Sequence, residues 1–242
     1  GTVRAVHGQE VQAAAQTALM SSDAGYFAAL GNLLGNIGSG LPRLVVDLDR
    51  LDANIDQLCE LQAPETLRLV AKSLPSPDLL SHICARLGHE RFMVFHLPFL
   101  LQVVDRFPGA DILMGKPLPI AAVRRYYRER PANDFDDTQQ LQWLADTNDR
   151  LLQFVELSRE IGKQITVSIE LDVGMHRGGL RQQADLAAML DTIRGYHVEL
   201  RLGGFMGYDA HVPKAPWPHC VKRASQGAKK RYEELLEFSI SG

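Results

Sequence analysis

The chain has 242 residues, 45% of them hydrophobic, and a formal net charge of −3. That apolar content can fill a sizeable core in one large domain or two small ones, and the interspersed charges offer no basic footprint for nucleic acid. Three widely spaced cysteines (Cys59, Cys84, Cys220) argue against a disulfide framework, no apolar run reaches the ~20 residues of a membrane span, and no secretory pattern opens the sequence, so a soluble cytoplasmic protein is expected.

Residues 1–42 are rich in Ala, Gly and Ser; weak helical periodicity over 11–34 predicts a helical extension before the main domain at 43–242. Leu44 to Leu48 reads as a short apolar strand, with Asp49 placed to cap a helix over 51–61. Strand patterns follow at 67–73, 92–97, 110–114, 142–146, 165–173 and 198–207. Helical patterns fill the gaps at 77–87, 98–106, 118–129, 149–161, 182–194 and 222–238. Arg124, Arg125 and Arg128 fall at the spacing of a solvated helix face. Apolar strands alternating with helices predict a parallel sheet with crossover helices. The unbroken alternation favours a (β/α)8 barrel of the TIM type over an open doubly wound sheet.

Two strands carry chemistry. Lys72 ends the run Leu67 to Ser73, just before Pro75 and Pro77, and so delivers an amine to the carboxyl end of a strand, where barrels of this kind place their active sites. A partly desolvated amine there can form a Schiff base with a carbonyl cofactor; a lysine fraying into solvent is the plainer reading. Along 165–174, Val167, Ile169, Leu171 and Val173 share one face, and Thr166, Ser168, Glu170 and Asp172 the other. A parallel strand is covered on both sides, so the polar face must look into an interior with partners. Arg68, and with it Lys72, is expected to answer Glu170 and Asp172 there, because an unpaired buried charge costs several kcal/mol.

Three segments, taken in order, resemble a known family. Leu44-Val-Val-Asp-Leu-Asp-Arg-Leu-Asp-Ala-Asn-Ile55 is similar to the opening strand and helix of the alanine-racemase-like, fold type III pyridoxal-phosphate enzymes. Arg68-Leu-Val-Ala-Lys72-Ser73 resembles their cofactor-lysine strand. Ile169-Glu-Leu-Asp-Val-Gly-Met-His-Arg-Gly-Gly-Leu180 resembles a fifth-strand motif of the branch holding D-threonine aldolase and D-serine dehydratase. Met114-Gly-Lys-Pro-Leu118 and Leu202-Gly-Gly-Phe-Met-Gly-Tyr208 fall where that branch has its third and sixth strand ends.

The resemblance implies a barrel that binds pyridoxal 5′-phosphate, with Lys72 as the catalytic residue and Schiff-base amine. It implies that Arg177 lies near the cofactor's phenolic oxygen and that Tyr208 packs against its pyridine ring. It also implies that a Gly- and Ser-rich turn, approached here at Ser241 and Gly242, cradles the phosphate. Phe238 to Gly242 reads as the opening of the next strand, so the chain is expected to be a piece of a longer enzyme whose barrel is incomplete at this end. Divalent-metal ligands would belong to a C-terminal β-domain absent from this sequence, and the family's habit of completing sites across a dimer suggests a homodimer. Val70 and Leu74 stand where the branch carries histidines. His176 and His211, near strand ends, are candidates for acid–base or substrate contacts; His211, His219 and Cys220 match no tight metal-ligand spacing. The expected function is a lyase or racemase acting on a D- or β-hydroxy amino acid, with no nucleic-acid or membrane partner. A non-catalytic pyridoxal-phosphate-binding protein of the single-barrel type is the alternative, and a barrel without cofactor the third reading.

Overall fold

The computed structural model describes residues 23–37, 40–42 and 44–241. The chain divides into two compact units, Gly1–Gln62 and Ala63–Gly242. In the first, α1 (Asp23–Ile37) precedes α2 (Leu48–Leu61). The predicted helix over 11–34 is met from Asp23 onward, and residues 11–22 lie outside the described residues. The strand expected at Leu44 to Leu48 does not form. A strand exists only by pairing, and residues 44–47 lie in no ladder; the helix has already begun at Leu48. The cap is Asp47 rather than Asp49: its carboxylate accepts from Arg50 N at 3.1 Å and from the Tyr26 hydroxyl at 2.9 Å.

The second unit carries the sheet. Its strands are β1 (Leu69–Ala71), β2 (Arg91–Val94), β3 (Asp111–Met114), β4 (Leu141–Ala145), β5 (Ile165–Leu171) and β6 (Leu200–Gly207). All pairings are parallel and the spatial order follows the sequence, β1-β2-β3-β4-β5-β6. That is the strand order of a TIM-type barrel, and among the described residues the sheet does not close between β6 and β1. The crossovers are α3 (Pro77–Leu87), α4 (Leu97–Arg106), α5 (Ile120–Glu129), α6 (Asp137–Gln140), α7 (Asn148–Ile161) and α8 (Gln183–Gly195), with α9 (Pro218–Ser241) after β6. Local signals set these bounds. Ser76 caps α3 and Thr147 caps α7, while Gly88 and Gly162 end the same helices in the left-handed conformation. Among the described residues no helix is long and apolar enough to cross a membrane.

Of the strand expected at Phe238 to Gly242, residues 238–241 belong instead to the last turn of α9, and Gly242 lies outside the described residues. Leu235 is fully buried and Phe238 packs on the same core, so the helical i, i+3 stripe continues to where a two-residue alternation had seemed to start. The main core lies between sheet and helices. Phe92 meets Phe107 at 4.9 Å between ring centroids, and Trp143 meets Tyr126 edge-on at 5.5 Å. Below them, Asp137 is buried on three donors: the Tyr126 hydroxyl at 2.6 Å, the Arg130 guanidinium and Lys163 Nζ at 3.2 Å.

The inner face of the sheet is polar toward the amino ends of the strands. Arg68 does not meet Glu170 or Asp172. Its guanidinium clasps Asp111 through Nη1 at 3.1 Å and Nη2 at 2.8 Å, and Nη1 also donates to Phe92 O at 3.0 Å. Gln142 donates to the same Asp111 at 3.4 Å and accepts from the Ser168 hydroxyl at 2.8 Å. Arg201 donates to Thr166 Oγ1 at 3.0 Å, and Thr166 donates onward to Thr138 O at 2.6 Å. The inward face of β5 was read correctly, and its upper acids take partners from their own loop instead. Arg68 sits at the wrong end of its strand to reach them.

Candidate active site

One residue past each strand end gives Lys72, Phe95, Gly115, Asp146, Asp172 and Tyr208. These six line the carboxyl rim in ladder order. Lys72 is exposed, as the plainer of the two sequence readings has it, at the end of β1, which is an edge of the sheet among the described residues. Its Nζ lies 4.8 Å from the centroid of the Phe95 ring. Phe95 in turn packs against Gly115: a Cβ there would come within 2.5 Å of the far edge of the ring, so any larger residue would push the ring aside.

The other half of the rim is built by the segment after β5. Leu180 N donates to Glu170 O at 2.8 Å and Asp172 N to Leu180 O at 2.9 Å, folding residues 172–180 back beside their own strand. Gly179 makes this return, with φ of +87° and no room for a Cβ, which would lie 2.7 Å from the Leu171 carbonyl carbon. Asp172 organises the loop from within, accepting from Gly174 N and His176 N at 3.0 Å, from the His176 ring at 2.7 Å and from Arg181 Nε at 2.8 Å. Burial raises the Asp172 carboxyl's pKa, but these four donors outweigh it and bring it down to about 2. His176 is held at φ +56°, strained for a residue with a side chain.

Arg177 leaves this loop to lie over Tyr208, with its guanidinium carbon 4.1 Å from the ring centroid, while Nη2 donates to Glu170 Oε1 at 3.3 Å. Burial pushes the Glu170 carboxyl up; Arg177 opposes that, and Asp146 adds repulsion across the rim. The structure thus brings Arg177 and Tyr208 together. Lys72 stands at the opposite edge of the sheet, and no hydrogen bond or ring contact joins it to either. Ser241 continues the backbone of α9, and Gly242 lies outside the described residues. Phe95 and Glu170 escaped the sequence reading as site residues. For Glu170 the signal existed in its inward register beside Arg177; for Phe95, at a strand–helix junction, there was none.

A primary amine, a guanidinium and an aromatic face on one rim are a donor set that fits a pyridoxal-type carbonyl cofactor: an amine to condense, a fixed cation for a phenolate, and a flat neighbour. No curated protein sequence matches the chain. Among solved structures, it is similar to D-threo-3-hydroxyaspartate dehydratase from Delftia sp. HT23 with a TM-score of 0.64 and 21% identity, over 81% of this chain and 50% of that one. Alanine racemase from Oenococcus oeni matches at TM-score 0.60 and 19% identity, over 77% and 50%. Alanine racemase from Bacillus anthracis matches at 0.61 and 18%, over 83% and 50%. The chain therefore spans about half the length of the solved structures it matches. The family model described as the alanine racemase N-terminal domain matches residues 46–238. With that match over most of its length and six parallel strands in barrel order, the chain belongs to the alanine racemase N-terminal domain family, the barrel of the fold type III pyridoxal-phosphate enzymes.

Proposed function

We propose that this chain supplies the pyridoxal-phosphate-binding barrel of a lyase or racemase acting on a D- or β-hydroxy amino acid. The observation that carries the reading is the division of the rim, with a solvent-reachable amine at the end of β1 and a braced guanidinium on an aromatic ring at the ends of β5 and β6. In this reading the Lys72 amine would hold the cofactor and, once released from it, would move a proton at the substrate Cα. Bound there, the cofactor would supply an electron sink for charge developing on that carbon. Arg177 would hold the phenolic oxygen; Glu170 fixes Arg177 in place, and Tyr208 gives it a surface to lie on. Val70 and Leu74 leave the rim beside Lys72 apolar where the related branch carries histidines, so these two positions supply no second acid–base group.

The test is borohydride reduction of the chain mixed with pyridoxal phosphate, followed by peptide mapping. A phosphopyridoxyl group on Lys72, absent from a folded Lys72→Ala variant, is expected. Labelling spread over surface lysines, or none, would overturn the assignment. Turnover of D-alanine, D-threonine and D-serine by the labelled-competent protein would then separate racemase from lyase.

A further inference from the structure

A cavity of about 680 Å³ opens between the loop after β5, the segment after β6 and α9. Its volume falls in the range of small-molecule sites, roughly 300–1,000 Å³. Three guanidinium groups line it, those of Arg181, Arg223 and Arg231, against the single carboxylate of Asp172. Two imidazoles, His176 and His211, stand among them.

Little in the protein neutralises this cluster. Asp172 engages Nε of Arg181, whose side chain is 60% exposed and whose terminal nitrogens have no partner among the described residues. Arg231 donates to the Arg181 carbonyl, and its nearest carboxylate, Glu234 at 3.9 Å, is shared with Lys230 at 3.8 Å. Arg223 has no hydrogen-bond or ion-pair partner among the described residues. His211 borders the cavity, and its Nδ1 atom is buried beneath the surface with no partner among the described residues, which costs about 1–3 kcal/mol. Val173, Ala224 and Ala228 supply an apolar floor. Surplus positive charge around a small apolar floor suits a ligand with two negative groups on a short carbon body.

We propose that this cavity is a binding site for a small organic dianion, a short dicarboxylate or a phosphorylated compound. The cavity shares Asp172 and the loop after β5 with the carboxyl rim but takes nothing from its Lys72 end, so the proposal does not rest on Lys72 holding a cofactor.

Isothermal titration calorimetry of the chain with malonate, succinate and inorganic phosphate tests it, with acetate as the monovalent control. Saturable one-site binding of at least one dianion is expected, with acetate about tenfold weaker or more. Tight phosphate with weak dicarboxylates would assign the phosphorylated class, and the reverse order the dicarboxylates. Arg223→Gln should weaken the preferred dianion about tenfold without loss of helical signal, since Arg223 holds nothing else in place. Gly227→Asp should do the same by adding a carboxylate where the structure has open space. Lys72→Ala should bind as the parent does. Unchanged affinity in both charge variants, acetate as tight as malonate, the absence of any saturable binding, or loss of binding in Lys72→Ala would each overturn the proposal. Failure of Lys72 labelling would leave it standing.

Discussion

Asp172 is where a single atom change should be most informative. Its carboxylate is almost fully buried, at 4% exposure, and gathers two backbone donors, one imidazole and one guanidinium. Those bonds require the charged form, which is why its pKa falls from the ordinary 3.8 to about 2. A folded-state pKa below the unfolded one stabilises the fold above pH 3.8, and the contribution is lost as pH falls through about 2. A drop of that size is worth about 2 kcal/mol at neutral pH. In Asp172→Asn the amide must also turn an NH2 toward one pair of donors, so a total loss of about 2–4 kcal/mol is expected at pH 7. The assay is urea denaturation of both proteins by circular dichroism from pH 7 to pH 3. The gap between them should narrow by about 1 kcal/mol by pH 3, where roughly half of the ionisation term has gone. A gap that is constant with pH, or no gap at pH 7, would refute the view that the loop is folded around a charged carboxylate.

Gly179→Ala puts a methyl 2.7–2.8 Å from the backbone of Leu171 and Asp172 at φ +87°, so we expect a loss of more than about 2 kcal/mol in the same denaturation experiment, together with faster amide exchange across 172–180. Arg130→Leu leaves buried Asp137 with only Lys163 and Tyr126, and should cost about 3 kcal/mol; adding Asp137→Asn should restore part of it, and full additivity of the two changes would count against the pairing. Lys72→Ala removes an exposed side chain and should leave the melting temperature of the cofactor-free chain within a degree or so, while abolishing the stabilisation that pyridoxal phosphate confers on the parent.

Most elements after residue 63 were legible because each has a local cause; the single turn of α6 was not. Apolar spacing fixed the helices, Ser76 and Gly88 fixed the ends of one of them, and strict alternation along β5 gave its inward face residue by residue. Partner choice was not legible. Alternation places Arg68 on the inner face but says nothing about height, and height is what joins it to Asp111 two strands away instead of Glu170 or Asp172 at the far rim. Leu44 to Leu48 fails for a related reason: an apolar run declares that it could pair, not that a neighbour is there. At Phe238 a two-residue and a three-residue spacing fit the same letters, and the buried Leu235 decides for the helix. At the rim, Lys72, Arg177 and Tyr208 were found through their motifs, whereas Phe95 depended on a glycine one strand over.

The polar band from Arg68 through Asp111, Gln142 and Ser168 to Arg201 acts as a lock on assembly. Each member takes its partner from a different stretch of chain, so sliding any one strand by a single residue would turn its polar group outward into the helix-facing oil and strand the group that waits for it. Apolar inner residues would tolerate such a slip at modest cost. Among the described residues the sheet's edges are β1 and β6, where mispairing is easiest, and the band makes the wrong alignments expensive.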